Sequence, residues 1–178
     1  VGDVAALDRR VPQATLRADL EAALEAQPPE TRRVELNAFK DREMFRIDLR
    51  HITGRIGFRE FSRELSELAT VVVEGAARLA AAAVGASIGE PTIADGVQCP
   101  WAILALGKFG GEELGFASDI ELLFAYAGDG HTDGAAAEPN ERYFESWVRG
   151  CMDTLATRTE GIFEVDLRLR PHGNAGPL

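Results

Sequence analysis

The chain has 178 residues, 46% hydrophobic and 27% charged, the make-up of one globular domain and not of a disordered, collagen-like or disulfide-stapled chain. Its 29 Asp and Glu outnumber 19 Lys and Arg, a formal net charge of −10. That excess argues against duplex nucleic acid, which is bound by neutralising phosphates.

The first half reads as helix. Leu16, Leu20, Ala23 and Leu24 share a face, and Pro28-Pro29 ends the segment. From about Val34 to Ile52 a second stripe is predicted from Phe45, Leu49 and Ile52, widened by Met44 and Ile47, with Gly54 as its stop. Phe61, Leu65, Leu68, Val72, Ala76, Leu79 and Ala83 step by threes and fours along a third helix that Gly85 is expected to close. Residues 86–97 read as a loop. Trp101–Leu106 is an unbroken apolar run, which predicts a strand buried on both faces. Gly107–Gly111 is a turn, and Glu112–Leu114 is expected to be a short helix. Over Ser118–Tyr126, Ile120, Leu122, Phe124 and Tyr126 alternate with Asp119 and Glu121, which predicts a half-buried strand. Residues 127–138 read as a flexible loop, and a helix is predicted over about Asn140–Thr157. A last strand over Ile162–Arg170 sets Asp166, Arg168 and Arg170 opposite Val165, Leu167 and Leu169. The whole is an α+β arrangement, with a helical lead-in over 1–97 packing on a core over 98–178.

The remaining composition is bland. Cys99 and Cys151 have neither metal nor redox spacing and are expected to be buried thiols. His51, His131 and His172 are scattered and read as structural or surface residues. No run approaches the roughly 18 apolar residues of a membrane span, and no signal segment opens at Val1, so a cytoplasmic protein without a membrane partner is expected. The chain begins without Met and stops at Gly176-Pro177-Leu178, which suggests a piece of a longer protein.

Chemistry concentrates in the second half. Asp119 and Glu121, two apart on a strand, project from one face. If the strand carrying Asp166 lies alongside, three carboxylates meet, and like charges that close call for a hard cation such as Mg²⁺ or Mn²⁺. Such ions commonly also take substrate phosphates. Alone, the Asp-x-Glu pair reads more readily as the wet face of a half-exposed strand; the third acid in matching phase strengthens the case for a site. Gly107-Lys108-Phe109-Gly110-Gly111 is neither a phosphate-binding loop of the Gly-Lys-Ser/Thr kind nor a dinucleotide fingerprint. A double glycine lets backbone N–H groups approach a phosphate, and it also makes an ordinary tight turn.

Gly110-Gly111 followed by Asp119-Ile120-Glu121 resembles the signature of the DNA polymerase beta-like nucleotidyltransferases. The longer strings GKFGGEELGFASDIELLFAY and GIFEVDLRLRPHGNAGPL are similar to the glutamate–ammonia-ligase (glutamine synthetase) adenylyltransferase family. DREMFRIDLRHITG and ELSELATVVVEGAARLA resemble the helical lead-in of its catalytic lobes. The resemblance covers about Phe39–Leu178.

It implies a nucleotidyltransferase fold, a mixed sheet flanked by helices. Asp119, Glu121 and Asp166 would be metal-binding catalytic acids. Gly110, Gly111 and Ser118 would line the phosphate side of an ATP pocket. Lys108, Arg168 and Arg170 would meet triphosphate charge, unless the arginines only balance the acids. The implied reaction is transfer of AMP from ATP to a tyrosine of glutamine synthetase. The same motifs occur in the family's adenylyl-removing lobe, and PII signal proteins regulate the family. The usual acid pair is Asp-x-Asp, so Glu121 is a departure. It leaves open Mn²⁺ preference, slower chemistry or a catalytically weak regulatory lobe, and another hydroxyl acceptor is also open.

Overall fold

The computed structural model describes residues 7–155 together with Val165 and Asp166. The end of the helix expected at Thr157, most of the last expected strand with Arg168 and Arg170, and His172 lie outside the described residues.

Helix α1, Gln13–Glu25, buries the predicted Leu16 and Leu20. Helix α2 spans Arg32–Ile52 and packs Ile47 and Met44 of its predicted stripe against the core, but its inward face is shifted away from Phe45 and Ile52. Phe45 and Ile52 are 64% and 71% exposed, while Leu36, Phe39 and Ile47 are buried beside Lys40 and Arg50. The cause is an ion pair. Arg50 donates from Nη1 to both carboxylate oxygens of Glu64 on the next helix, at 2.5 and 2.6 Å, so a charged side chain belongs to the packed face.

Helix α3, Phe58–Ile88, is the centre of the fold. Phe61, Leu65, Leu68, Val72 and Ala76 are buried as predicted, with Val71, Val73, Ala77 and Ala80 besides. It runs past the expected stop at Gly85 to Gly89, whose φ of 87° is the left-handed turn-off that glycine allows. By length and composition α3 could cross a membrane, contrary to the expectation that no segment could. Here it packs against α1, α2 and a later helix, the position of a core helix within the fold.

After α3 the short strands β1, Pro91–Thr92, and β4, His131–Thr132, pair antiparallel. They pin two segments expected to be loops. Thr92 Oγ1 donates to the His131 carbonyl at 2.7 Å, and Asn140 Nδ2 donates to the carbonyls of Thr92 and Gly128. Between them lie β2, Trp101–Ala105, the one-turn helix α4, Gly107–Gly110, and β3, Ile120–Tyr126. Helix α5, Asn140–Thr154, follows, and then β5, Val165–Asp166.

The sheet order is β2-β3-β5. β2 and β3 are antiparallel, from Trp101 opposite Tyr126 to Ala105 opposite Leu122; β3 and β5 are parallel. The sheet is therefore mixed, and the chain is α+β: helices first, then a small sheet with helices.

β2 is not buried on both faces. All its residues except the half-buried Ile103 are exposed. It pairs with β3 alone among the described strands, and its inner face borders an open cavity of about 470 Å³ against Arg17, Thr70, Val73 and Ala77. β3 behaves as predicted: Ile120 and Leu122 are buried, and Phe124 packs edge-on against Trp147 of α5 with centroids 5.2 Å apart. Trp147 Nε1 donates to the Ala77 carbonyl of α3 at 2.9 Å. Gly150 lets the two helices close, since a Cβ there would stand 3.2 Å from the Ala80 Cβ. One hydrophobic cluster thus runs from Leu16 to Leu155, joining the helical lead-in to the sheet. Cys99 and Cys151 are both free and buried, as expected.

Candidate active site

Alternation along β3 sends Ile120, Leu122 and Phe124 toward the helical layer and leaves Glu121 on the opposite face. β5 lies beside β3 in the register that pairs Ile120 with Val165 and Glu121 with Asp166. Residues opposite one another in a ladder share a face, so two of the three predicted acids are cross-strand neighbours. Asp119, exposed and immediately before β3, continues the same alternation.

The side chains do not collect further than that. Among the described residues no three acidic, His or Cys side chains form a group able to hold a metal ion. Unscreened carboxylates on one face repel and splay apart. Glu121 turns toward the Gly-rich turn: its Cδ stands 2.8 Å from where a Cβ of Gly107 would be. The oxygen donors suit a hard divalent cation, and the backbone sets two of them side by side.

The turn between β2 and β3 is tightly built. Gly107 has φ 52°, and Leu106 N–H donates to the Glu121 carbonyl at 2.9 Å, tying the turn to the acid-bearing strand. Gly110 N–H and Gly111 N–H donate to the carbonyls of Leu106 and Gly107, so both predicted phosphate donors are engaged within the turn. Gly110 lies against β2, where a Cβ would come 2.5 Å from the Ala105 carbonyl oxygen; Gly111 has no such constraint. Glu112–Leu114 is not helical: Glu112 sits at φ 57° in a turn. Ser118 is buried, and its Oγ accepts a hydrogen bond from Gly115 N–H at 2.9 Å, closing the approach to β3.

Lys108, Gly111 and Ser118 line one open cleft of about 1220 Å³ facing the start of α3. Gly110 and the acids Asp119, Glu121 and Asp166 do not line it. The predicted residues therefore fall into two groups, acids on the sheet face and turn residues at the cleft, joined where Gly107 meets Glu121.

Gly107 is the site residue that the motif reading passed over. Its signal is a glycine at the junction of an apolar strand and a turn, where a positive φ is most often needed. Arg50 and Glu64 were hidden for another reason: both look like surface residues of amphipathic helices until the two helices are placed together.

Comparison with known proteins places the chain in a nucleotidyltransferase-type enzyme family. The sequence profile of glutamate–ammonia ligase adenylyltransferase matches residues 2–178, and the chain belongs to that family. It is 38% identical over 146 residues, 81% of its length, to the bifunctional glutamine synthetase adenylyltransferase/adenylyl-removing enzyme of Thioalkalivibrio sulfidiphilus. The protein of the same name from Nitrosococcus oceani is 39% identical over 149 residues, 82% of the chain. That of Burkholderia mallei is 36% identical over 133 residues, 72% of the chain. The chain spans about 15% of the length of the first two relatives and 14% of the third.

Proposed function

We propose that the chain is part of an enzyme that transfers AMP from ATP to a tyrosine of glutamine synthetase, with Mg²⁺ or Mn²⁺ as cofactor. The tyrosine oxygen bonds to the α-phosphorus, the bond to the bridging oxygen breaks, and pyrophosphate leaves; the hydroxyl proton is released. The observation that carries the reading is the register of Glu121 with Asp166 on adjacent parallel strands, in a chain of this family. Asp119, Glu121 and Asp166 would hold the cation, which supplies charge neutralisation on the phosphoryl oxygens. Alignment and fixed charge are the main contributions a protein makes to phosphoryl-type transfer. The Gly107 turn fixes the Glu121 strand from below, and Lys108 offers a cation from the same turn.

The test is incorporation of label from α-labelled ATP into glutamine synthetase by a full-length enzyme carrying this segment. Asp119→Asn and Asp166→Asn each abolish incorporation without changing the melting temperature; full incorporation by either variant overturns the proposal.

The names of the relatives also carry an adenylyl-removing activity, and this is the second reading. The acids would then serve attack of inorganic phosphate on adenylyl-tyrosine, releasing ADP and the free hydroxyl. Labelled adenylyl glutamine synthetase with phosphate separates the two: labelled ADP that is lost in Asp119→Asn assigns removal to this segment.

A further inference from the structure

We infer that the wall of the cleft opposite Lys108, formed by Arg59, Ser62 and Arg63 on the first two turns of α3, is a polyphosphate site. It takes pyrophosphate, free or as part of a nucleotide. This deepens the nucleotide reading and rests on it for the identity of the physiological ligand.

Among the described residues most cations are already paired. Arg10, Arg17, Arg46, Arg50, Arg55 and Arg78 each have a carboxylate partner. Arg59, Arg63 and Lys108 are exposed at the cleft, and none forms an ion pair with a described residue. Arg59 and Arg63 are four apart and so lie on one helix face, about 6 Å apart along the axis, suited to two linked phosphoryl groups.

The end of α3 adds to this. Gly57 occupies the N-cap with no side-chain hydrogen bond to the first-turn amides, and a Cβ there would meet open space. Uncapped amides at the start of a long helix favour an anion. Independently, Ser62 lines the cleft, is buried, and its Oγ has no hydrogen-bond partner. A buried hydroxyl without a partner is costly, and a ligand oxygen in the cleft would satisfy it. Glu60, Glu112 and Glu113 also line the cleft. They make it a discrete pocket, unlike the continuous positive groove that tracks nucleic acid.

The experiment is calorimetric titration of the full-length enzyme with pyrophosphate and with ATP, in the absence and presence of Mg²⁺. Pyrophosphate is expected to bind without the metal. Arg59→Ala/Arg63→Ala should weaken it by at least about tenfold, the worth of one charge-assisted hydrogen bond, and Ser62→Ala should weaken it by a smaller factor. Arg149→Ala, an exposed arginine on α5 away from the cleft, should bind as wild type. Wild-type affinity in the double variant, or no binding of pyrophosphate to the wild type, overturns the inference. The outcomes separate from those for AMP transfer. Loss of pyrophosphate binding in the double variant while Asp119→Asn still transfers AMP keeps this site and removes the catalytic reading. Unchanged binding in the double variant while Asp119→Asn is inactive does the reverse.

Discussion

The carboxylate of Glu121 occupies the space that a side chain on Gly107 would need. The same glycine sits at φ 52°, so it is required twice, by its backbone and by its neighbour. The two requirements are separable, because the carboxylate is the end of a flexible side chain and can move. Gly107→Ala should therefore lose stability comparable to Gly54→Ala, where φ is 72° and nothing lies within 4 Å, about 1 kcal/mol in each case. Activity should part them: displacing Glu121 is expected to cost on the order of 100-fold in kcat/KM, and Gly54→Ala should cost none. Denaturant midpoints and initial rates for the two variants check this; equal activities would show that Glu121 does not need its present position.

Gly110 meets a stiffer obstacle. A Cβ there would come 2.5 Å from the Ala105 carbonyl oxygen, which belongs to β2 and cannot rotate away. Gly110→Ala should destabilise by about 1–3 kcal/mol through strand or turn displacement, whereas Gly111→Ala, whose nearest neighbour would be at 3.5 Å, should change stability by less than about 0.5 kcal/mol. Of the double glycine, only the first is sterically obligatory in this structure. Chemical denaturation of both variants decides it, and equal losses would remove the distinction.

Glu121 also bears on the metal. Shortening it to Asp withdraws the carboxylate by roughly 1.5 Å, away from Gly107. Mg²⁺ demands near-ideal octahedral geometry, so a longer, more mobile ligand handicaps it more than a permissive ion. Wild type is expected to turn over faster with Mn²⁺ than with Mg²⁺, and Glu121→Asp should lower that ratio. A ratio of rates unaffected by the substitution would mean that this carboxylate does not touch the ion.

Much of this architecture could be read before folding, for a local reason. Ile120, Leu122 and Phe124 against Asp119 and Glu121 is a period-two pattern that needs no knowledge of the rest of the chain, and the phase of Asp166 relative to Val165 is equally local. What could not be read depends on partners distant in sequence. Lys40 and Arg50 look like the wet side of α2, yet Arg50 is buried because Glu64 meets it. Trp101–Leu106 looks like a central strand, yet β2 has one described strand neighbour and an open cavity on its inner face. The two-residue pairing of β1 with β4 spans some forty positions and leaves no periodicity to detect. The register of Glu121 with Asp166 belongs to both groups: its phase is local, but its adjacency required the parallel pairing of β3 with β5.

The Arg50–Glu64 pair makes the first of those points measurable. Both side chains are buried, Arg46 Nη1 stands 3.7 Å from Glu64, and Arg50 Nε has no partner. Removing one member leaves a buried charge uncompensated, so Glu64→Gln and Arg50→Met should each cost about 3–5 kcal/mol. The double variant should recover part of that loss, since neither charge then remains. Additive losses in a double-mutant cycle would show that the pair is not coupled.

Alkaline pH gives the last test, through groups away from the candidate site. Burial pushes the Cys151 thiol up to about 12 from an ordinary value of 9.0. Burial, with Glu90 beside it, pushes Tyr143 up to about 12 from 10.0. In the unfolded chain both groups release their protons at their ordinary values, while the folded chain keeps them bound. Between about pH 9 and 12 the native state thus holds more protons than the unfolded state, and stability must fall as pH rises. Below pH 9 neither group contributes a slope. Urea midpoints from pH 7 to 11 should be level with respect to these groups up to about 9 and then decline, with Tyr143→Phe declining less steeply above pH 10. An unchanged slope in that variant would mean that Tyr143 ionises in the folded state as readily as in water, and that its packing against Glu90 is looser than the structure has it.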